Sequence, residues 1–117
     1  MNNVIQEKSF LFSIRIVRLS EYLRREKNEY VLSKQVLKCG TSIGANVAEA
    51  KNAQSTADFI SKMNIALKET SETIYWLRVL HATDYIDERE TKSLMSDCVE
   101  LEKILVAIIK AMKLKTK

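Results

Sequence analysis

The stretch Thr41–Leu77, TSIGANVAEAKNAQSTADFISKMNIALKETSETIYWL, decides the fold. It places Ile43, Val47 and Ala50, and later Phe59, Met63, Ala66, Leu67, Thr70, Ile74 and Leu77, at three- and four-residue spacing. That recurrence is the single stripe of an α-helix, not the alternation of a strand. Between the two stripes, Ser55 with Asp58 three residues later reads as a capping box that opens a new helix. Two helices joined by so short a break are antiparallel neighbours.

The same reading extends outward. Upstream, Leu32, Val36 and Cys39 continue the first stripe, so that helix spans about 30–52. Before it, Ile5, Phe12, Ile16, Leu19 and Leu23 mark a helix over about 4–27, with Asn3 and Gln6 as its cap and Lys27-Asn28-Glu29 as the break. The helix after Ser55 runs to about residue 81. Asp87 with Glu90 repeats the capping pattern for a last helix over about 88–114. Its stripe of Leu94, Cys98, Leu101, Leu105, Ile108 and Met112 follows strict a/d spacing. Four helices with short connections predict an all-α, up-down-up-down four-helix bundle, a single domain over residues 1–117.

Composition agrees with this. The chain has no Pro and two Gly, too few breakers for a turn-rich sheet protein. At 117 residues it can bury one core. Charges such as Arg15 and Arg18 interrupt every apolar run short of the roughly 18 residues that span a bilayer, so no membrane is expected. The N-terminus lacks the features of a signal peptide, and a cytoplasmic location with reduced Cys39 and Cys98 is expected. Gly40, Gly44 and Ala48 align along one ridge, which predicts that a neighbouring backbone comes close.

Four stripes close one core and leave apolar surface over. Phe10, Ile14 and Val17 lie nearly opposite the first stripe; Ile65, Glu69, Glu72, Trp76 and Val79 lie opposite the third. Surplus apolar patches of this kind mark interaction surfaces, and the Trp fits an interface anchor. These eight residues are therefore the expected homo-oligomer interface, and Trp76→Ala is expected to dissociate the assembly more than it unfolds the subunit.

No catalytic constellation emerges, and no enzyme activity or cofactor is expected. His81 is the only histidine, without an acid–base partner assignable by spacing. The cysteines fall on core stripes, without a C-x-x-C arrangement. Glu49, Glu69 and Glu72 invite comparison with carboxylate metal bundles, but the Glu-x-x-His element is missing. No metal site is expected; a polar network of Ser42, Asn46 and Glu49 meeting Lys68, Glu69 or Glu72, within or between subunits, is.

Net charge is +4, from 19 Lys and Arg against 15 Asp and Glu. The excess sits towards the end of the chain, at Lys110, Lys113, Lys115 and Lys117. In an antiparallel bundle this tail shares a pole with Lys8 and Lys51, while Arg24, Arg25 and Lys27 at the other pole face Asp84, Asp87, Glu88 and Glu90. Arg15, Arg18, Lys34, Lys38, Lys51, Lys110 and Lys113 are candidate nucleic-acid contacts, whose field an oligomer would multiply.

The residues Gln35, Ser42-Ile43-Gly44-Ala45-Asn46-Val47-Ala48-Glu49-Ala50, Asp58-Phe59, Ile65-Ala66, Lys68-Glu69, Glu72-Thr73 and Trp76-Leu77 resemble the signature of the four-helix-bundle family encoded in intervening sequences of bacterial 23S ribosomal RNA genes. The resemblance extends to the accessory protein of diversity-generating retroelements, a ring of five bundles that binds nucleic acid and a reverse transcriptase. It implies a pentamer, RNA or DNA as ligand, and a reverse transcriptase or other protein as partner. It assigns no catalytic role to Asn46, Glu49, Glu69, Glu72 or Trp76. The alternative expectation is an oligomeric protein-interaction scaffold that binds no nucleic acid.

Overall fold

The computed structural model describes residues 3–115, and side chains from residue 4 onward; the expected Asn3 cap and Lys117 lie outside what is described. Four helices make up its regular structure: α1 (Asn3–Lys27), α2 (Leu32–Ala50), α3 (Thr56–Ala82) and α4 (Glu88–Lys115). Each packs on its chain neighbours, and α4 returns to α1, so the order around the bundle is α1-α2-α3-α4. Helices α1 and α3 are diagonal, as are α2 and α4. The long axis of 49 Å is the roughly 40 Å that helices of this length span at about 1.5 Å per residue, plus the turns at their ends.

Local chemistry sets the ends. The Ser55 hydroxyl accepts from the Asp58 N–H (3.0 Å), and the Asp58 carboxylate accepts from the Gln54 N–H (3.2 Å). Asp87 accepts from the Glu90 N–H at 2.8 Å and opens α4. Helix α2 begins at Leu32, two residues later than the periodicity predicts. The Glu29 carboxylate accepts from the Ser33 N–H (2.9 Å), which starts the helix there and leaves Tyr30 and Val31 exposed. It also stops at Ala50, two residues early, because Asn52 and Ala53 turn back to the carbonyls of Glu49 and Ala50. At the other pole, Asn28 (φ 52°) and Asp84 (φ 66°) take the left-handed conformation. After Asp84 the Tyr85 N–H reaches the Leu80 carbonyl at 2.9 Å, which closes α3 in a Schellman motif.

The core holds the expected stripes at its centre: Ile5, Phe12, Ile16 and Leu23 from α1; Val36, Ile43 and Val47 from α2; Met63, Ala66 and Leu77 from α3; Leu94, Leu101 and Leu105 from α4. Two departures have geometric causes. On α4, Ile109 is buried while Ile108 is half-buried. A straight helix drifts by about 20° per heptad from a 3.5-residue repeat, so strict a/d spacing loses the core after two heptads. On α3, Thr73 and Leu80 are buried as well, while Phe59, Leu67 and Ile74 are only half-buried. This helix faces both α2 and α4, and its core face is broader than one stripe.

The glycine ridge is close-packed at Gly40 and Gly44, with neighbouring backbone reached only at Gly44, while Ala48 is exposed. A Cβ on Gly40 would stand 2.7 and 2.8 Å from Cγ1 and Cγ2 of Ile16, and one on Gly44 would stand 2.9 Å from the Ser13 hydroxyl and 3.1 Å from the Ser9 carbonyl oxygen. Helices α1 and α2 meet at these two points with no room for a methyl group.

Candidate interaction surfaces

The outward face of α1 is the most apolar exposed surface of the bundle. Because the inner stripe commits Ile5, Phe12, Ile16, Leu19 and Leu23 to the core, residues half a turn away point outward. Phe10 is 65% exposed, and Leu11, Ile14 and Val17 are exposed beside it. A shallow groove of about 350 Å³ runs along Phe10, Ser13, Ile14 and Val17 to Arg18.

The counterpart on α3 is less bare than the periodicity predicts. Ile65 is 40% exposed and Tyr75 56%, but Trp76 is half-buried and rests against the core, and Val79 is half-buried. A single residue step turns a helix by about 100°. Trp76 therefore flanks Leu77 and does not oppose it, and the broadened core face, with Leu80, draws the ring in. Its Nε1–H donates to the Glu72 carboxylate (3.3 Å), and its ring meets Tyr75 edge-on at 5.1 Å. The indole thus contributes to its own subunit, so Trp76→Ala no longer isolates association from folding. Burial, with Glu72 nearby, pushes the Glu69 carboxyl above the usual carboxylate range; Lys68 and Lys38 oppose that shift.

Within the subunit the expected polar network forms differently. The Ser42 hydroxyl donates to the Lys38 carbonyl (2.6 Å) and the Asn46 amide to the Ser42 carbonyl (2.8 Å), both inside α2. The Glu49 carboxylate pairs with Lys62 at 3.3 Å, not with Lys68. Lys62 lies near the start of α3, level with the end of α2, whereas Lys68 is nearly two turns further up.

The candidate cations separate into two settings. Arg15 is not available as a bare charge: it pairs with Asp97 (2.7 Å) and Glu90 (3.7 Å) and donates to the Ser93 hydroxyl (3.0 Å), clasping α1 to α4. Arg18 pairs with Glu21 at 3.1 Å. Both line a groove of about 550 Å³ on the α1–α4 seam, with Tyr22, Ile86, Asp87 and Glu90. Its mixed charge is unsuited to a polyanion. Lys8, at the other pole, pairs with Glu100 at 3.0 Å. Lys34, Lys38, Lys51 and Lys110 are exposed on α2, its end and α4, and Lys113 is exposed near the end of α4. A second groove, of about 580 Å³, lies between the α2–α3 turn and the end of α4, and Lys51 and Lys115 both line it.

The two thiols are inert by burial. Desolvation pushes Cys39 up to about 11, with Thr73 opposing, and pushes Cys98 up to about 12. The Cys98 thiol donates to the Thr70 carbonyl across the α3–α4 seam, at 3.5 Å. Among the described residues, no three His, Cys, Asp or Glu side chains gather as metal ligands. No helix among them is long and apolar enough to cross a membrane.

Comparison with known proteins places these surfaces in a family. No match is found among curated proteins. A crystal structure of a protein of unknown function from the S23 ribosomal protein family of Bacteroides thetaiotaomicron superposes with a TM-score of 0.92 at 53% identity, covering 92% of this chain and 96% of that one. The sequence profile described as 23S rRNA-intervening sequence protein matches residues 1–107. Helix order, glycine ridge and the Thr41–Leu77 signature all fall inside that match, and the chain is a member of the 23S rRNA-intervening sequence protein family.

Proposed function

We propose that this protein is a non-enzymatic, homo-oligomeric accessory protein that binds RNA or DNA in the cytoplasm. The observation that carries the assembly is the pair of apolar faces on diagonal helices. The α1 face, from Phe10 to Val17, is rimmed by Arg18; the smaller α3 face, Ile65 with the half-buried Trp76 and Val79, is rimmed by Glu69 and Glu72. A two-fold contact of α1 on α1 would leave the α3 face bare. A head-to-tail contact of α1 on the next subunit's α3 covers both and matches opposite charges, and such contacts close into rings when the rotation allows. The family resemblance implies five subunits.

Light scattering tests the assembly: masses of several times 13.4 kDa are expected, and a single-subunit mass at every concentration overturns it. Phe10→Lys with Ile14→Lys should dissociate the oligomer while helicity persists. A mobility shift with structured RNA at two salt concentrations tests the ligand, with retardation at low salt expected and weakened at high salt. The engagement of Arg15 by Asp97 and Glu90 favours a second reading, an oligomeric scaffold for a reverse transcriptase or another protein; no retardation at low salt would leave that reading standing.

A further inference from the structure

We propose that the groove between the α2–α3 turn and the end of α4 holds a single-stranded nucleic-acid segment, its phosphates between Lys51 and Lys115 and a base against Phe59. This rests on the nucleic-acid reading above and identifies the place on the subunit where it acts. The groove is lined by Lys51, Ser55, Thr56, Phe59, Met112 and Lys115, among others, and its volume of about 580 Å³ admits a base with its phosphate. Among the described residues, neither Lys51 nor Lys115 has a carboxylate within ion-pair distance. The nearest acids in sequence are already engaged, Glu49 by Lys62 (3.3 Å) and Asp58 by the Gln54 N–H (3.2 Å). The last turn of α4 is basic, with Lys113 and Lys115.

The seam groove is the contrast. It has nearly the same size and also two cations, but Glu90 pairs with Arg15 and Asp87 lines the same wall. That groove offers a polyanion no net positive charge, whereas the one at the α2–α3 pole does. Single-strand sites combine cations that follow the backbone with an aromatic or soft apolar surface for the bases. Phe59 and Met112, both half-buried, supply that surface. The Ser55 hydroxyl uses its oxygen to accept from Asp58, which leaves its proton to donate to a phosphate.

Fluorescence anisotropy with labelled single-stranded RNA and DNA of one sequence tests the assignment in the full-length protein. Lys51→Glu with Lys115→Glu should weaken binding at least tenfold and flatten the dependence of log affinity on log salt by about 1.4, for two lost phosphate contacts. Arg25→Glu with Lys27→Glu makes the same charge change at the opposite pole and should stay within about threefold of the wild type. Phe59→Leu, checked for retained helicity, should weaken binding several-fold without altering the salt slope. If the two charge reversals weaken binding equally, or if polyphosphate competes as well as the oligonucleotide while Phe59→Leu has no effect, the groove assignment is overturned. If wild-type protein binds no oligonucleotide at low salt, the underlying reading itself fails. Preferential capture of an acidic peptide by the same lysines would likewise overturn the proposal.

Discussion

Helix α1 is gripped by α2 on one side and by α4 on the other, and the two seams use different chemistry. Against α2 the contact is close, with the Ile16 side chain over Gly40 and the Ser9 backbone and Ser13 hydroxyl over Gly44. Against α4 the packing is looser, and ion pairs span the gap: Arg15 to Asp97 and Glu90, and Lys8 to Glu100. Steric contact of the first kind is short-ranged and insensitive to salt. Charge contact of the second kind is screened and, when exposed, contributes little. Helix α1 is therefore positioned mainly by α2 and only trimmed by α4, and the two glycines set how closely it approaches α2.

Breaking the first seam should have the largest effect. Gly40→Leu forces a side chain into space held by Ile16, which is fully buried and cannot swing away, and should cost about 3 kcal/mol in chemical denaturation. Gly40→Ala sharpens the point. It should destabilise the wild type despite its gain in helix propensity, yet stabilise an Ile16→Ala variant, because the atoms it meets are gone. Additive effects in that cycle would mean that the close approach is not what fixes the seam.

Alkaline pH strains the core that both seams enclose. The thiols are raised in the folded state, from an ordinary 9.0 to about 11 for Cys39 and about 12 for Cys98, so the folded chain holds these protons longer than the unfolded one. Their stabilisation is complete below pH 9 and is lost as pH climbs through 11 and 12. Between pH 9 and 10 the two together should cost on the order of 2 kcal/mol, and a Cys39→Ala/Cys98→Ala variant should show a flatter decline. Parallel declines for both proteins would refute this.

The α4 seam should yield less. The Arg15 side chain is about one-third exposed, 32%, and Arg15→Ala should cost about 1 kcal/mol in low salt and less in 0.5 M salt. Lys8→Ala, which breaks a more exposed pair, should cost less than about 0.5 kcal/mol. A larger loss at Lys8 than at Gly40 would invert the comparison.

What could be read in the sequence was whatever chemistry is local. Ser55 and Asp87 sit within three residues of the amides they cap, and the core stripes follow from helical winding alone. The Gly40 and Gly44 ridge announced a close neighbour, although Ile16 and Ser13 could be identified only in three dimensions. Contacts between helices were not legible: Arg15 and Asp97 are far apart in the chain, and nothing in their spacing predicts a 2.7 Å pair. The Glu49–Lys62 pair was not legible either, because the relative height of α2 and α3 depends on how the turn at Asn52 and Ala53 closes. Trp76 is less exposed than the periodicity predicts because one stripe cannot describe a helix with two neighbours. For the candidate surfaces, the bare face of α1 was visible in the periodicity; the split between a mixed groove and a basic one was not, since it depends on which carboxylates reach which cations.

Both turns at the pole opposite the basic groove run through a left-handed residue that carries a side chain, Asn28 and Asp84. Asn and Asp tolerate that region better than other residues, yet glycine would occupy it with less crowding. The pole therefore carries a small amount of unrelieved backbone crowding. Asn28→Gly and Asp84→Gly should each shift stability by no more than a few tenths of a kcal/mol, relief of crowding set against the looser unfolded chain, and should leave the distant basic groove untouched.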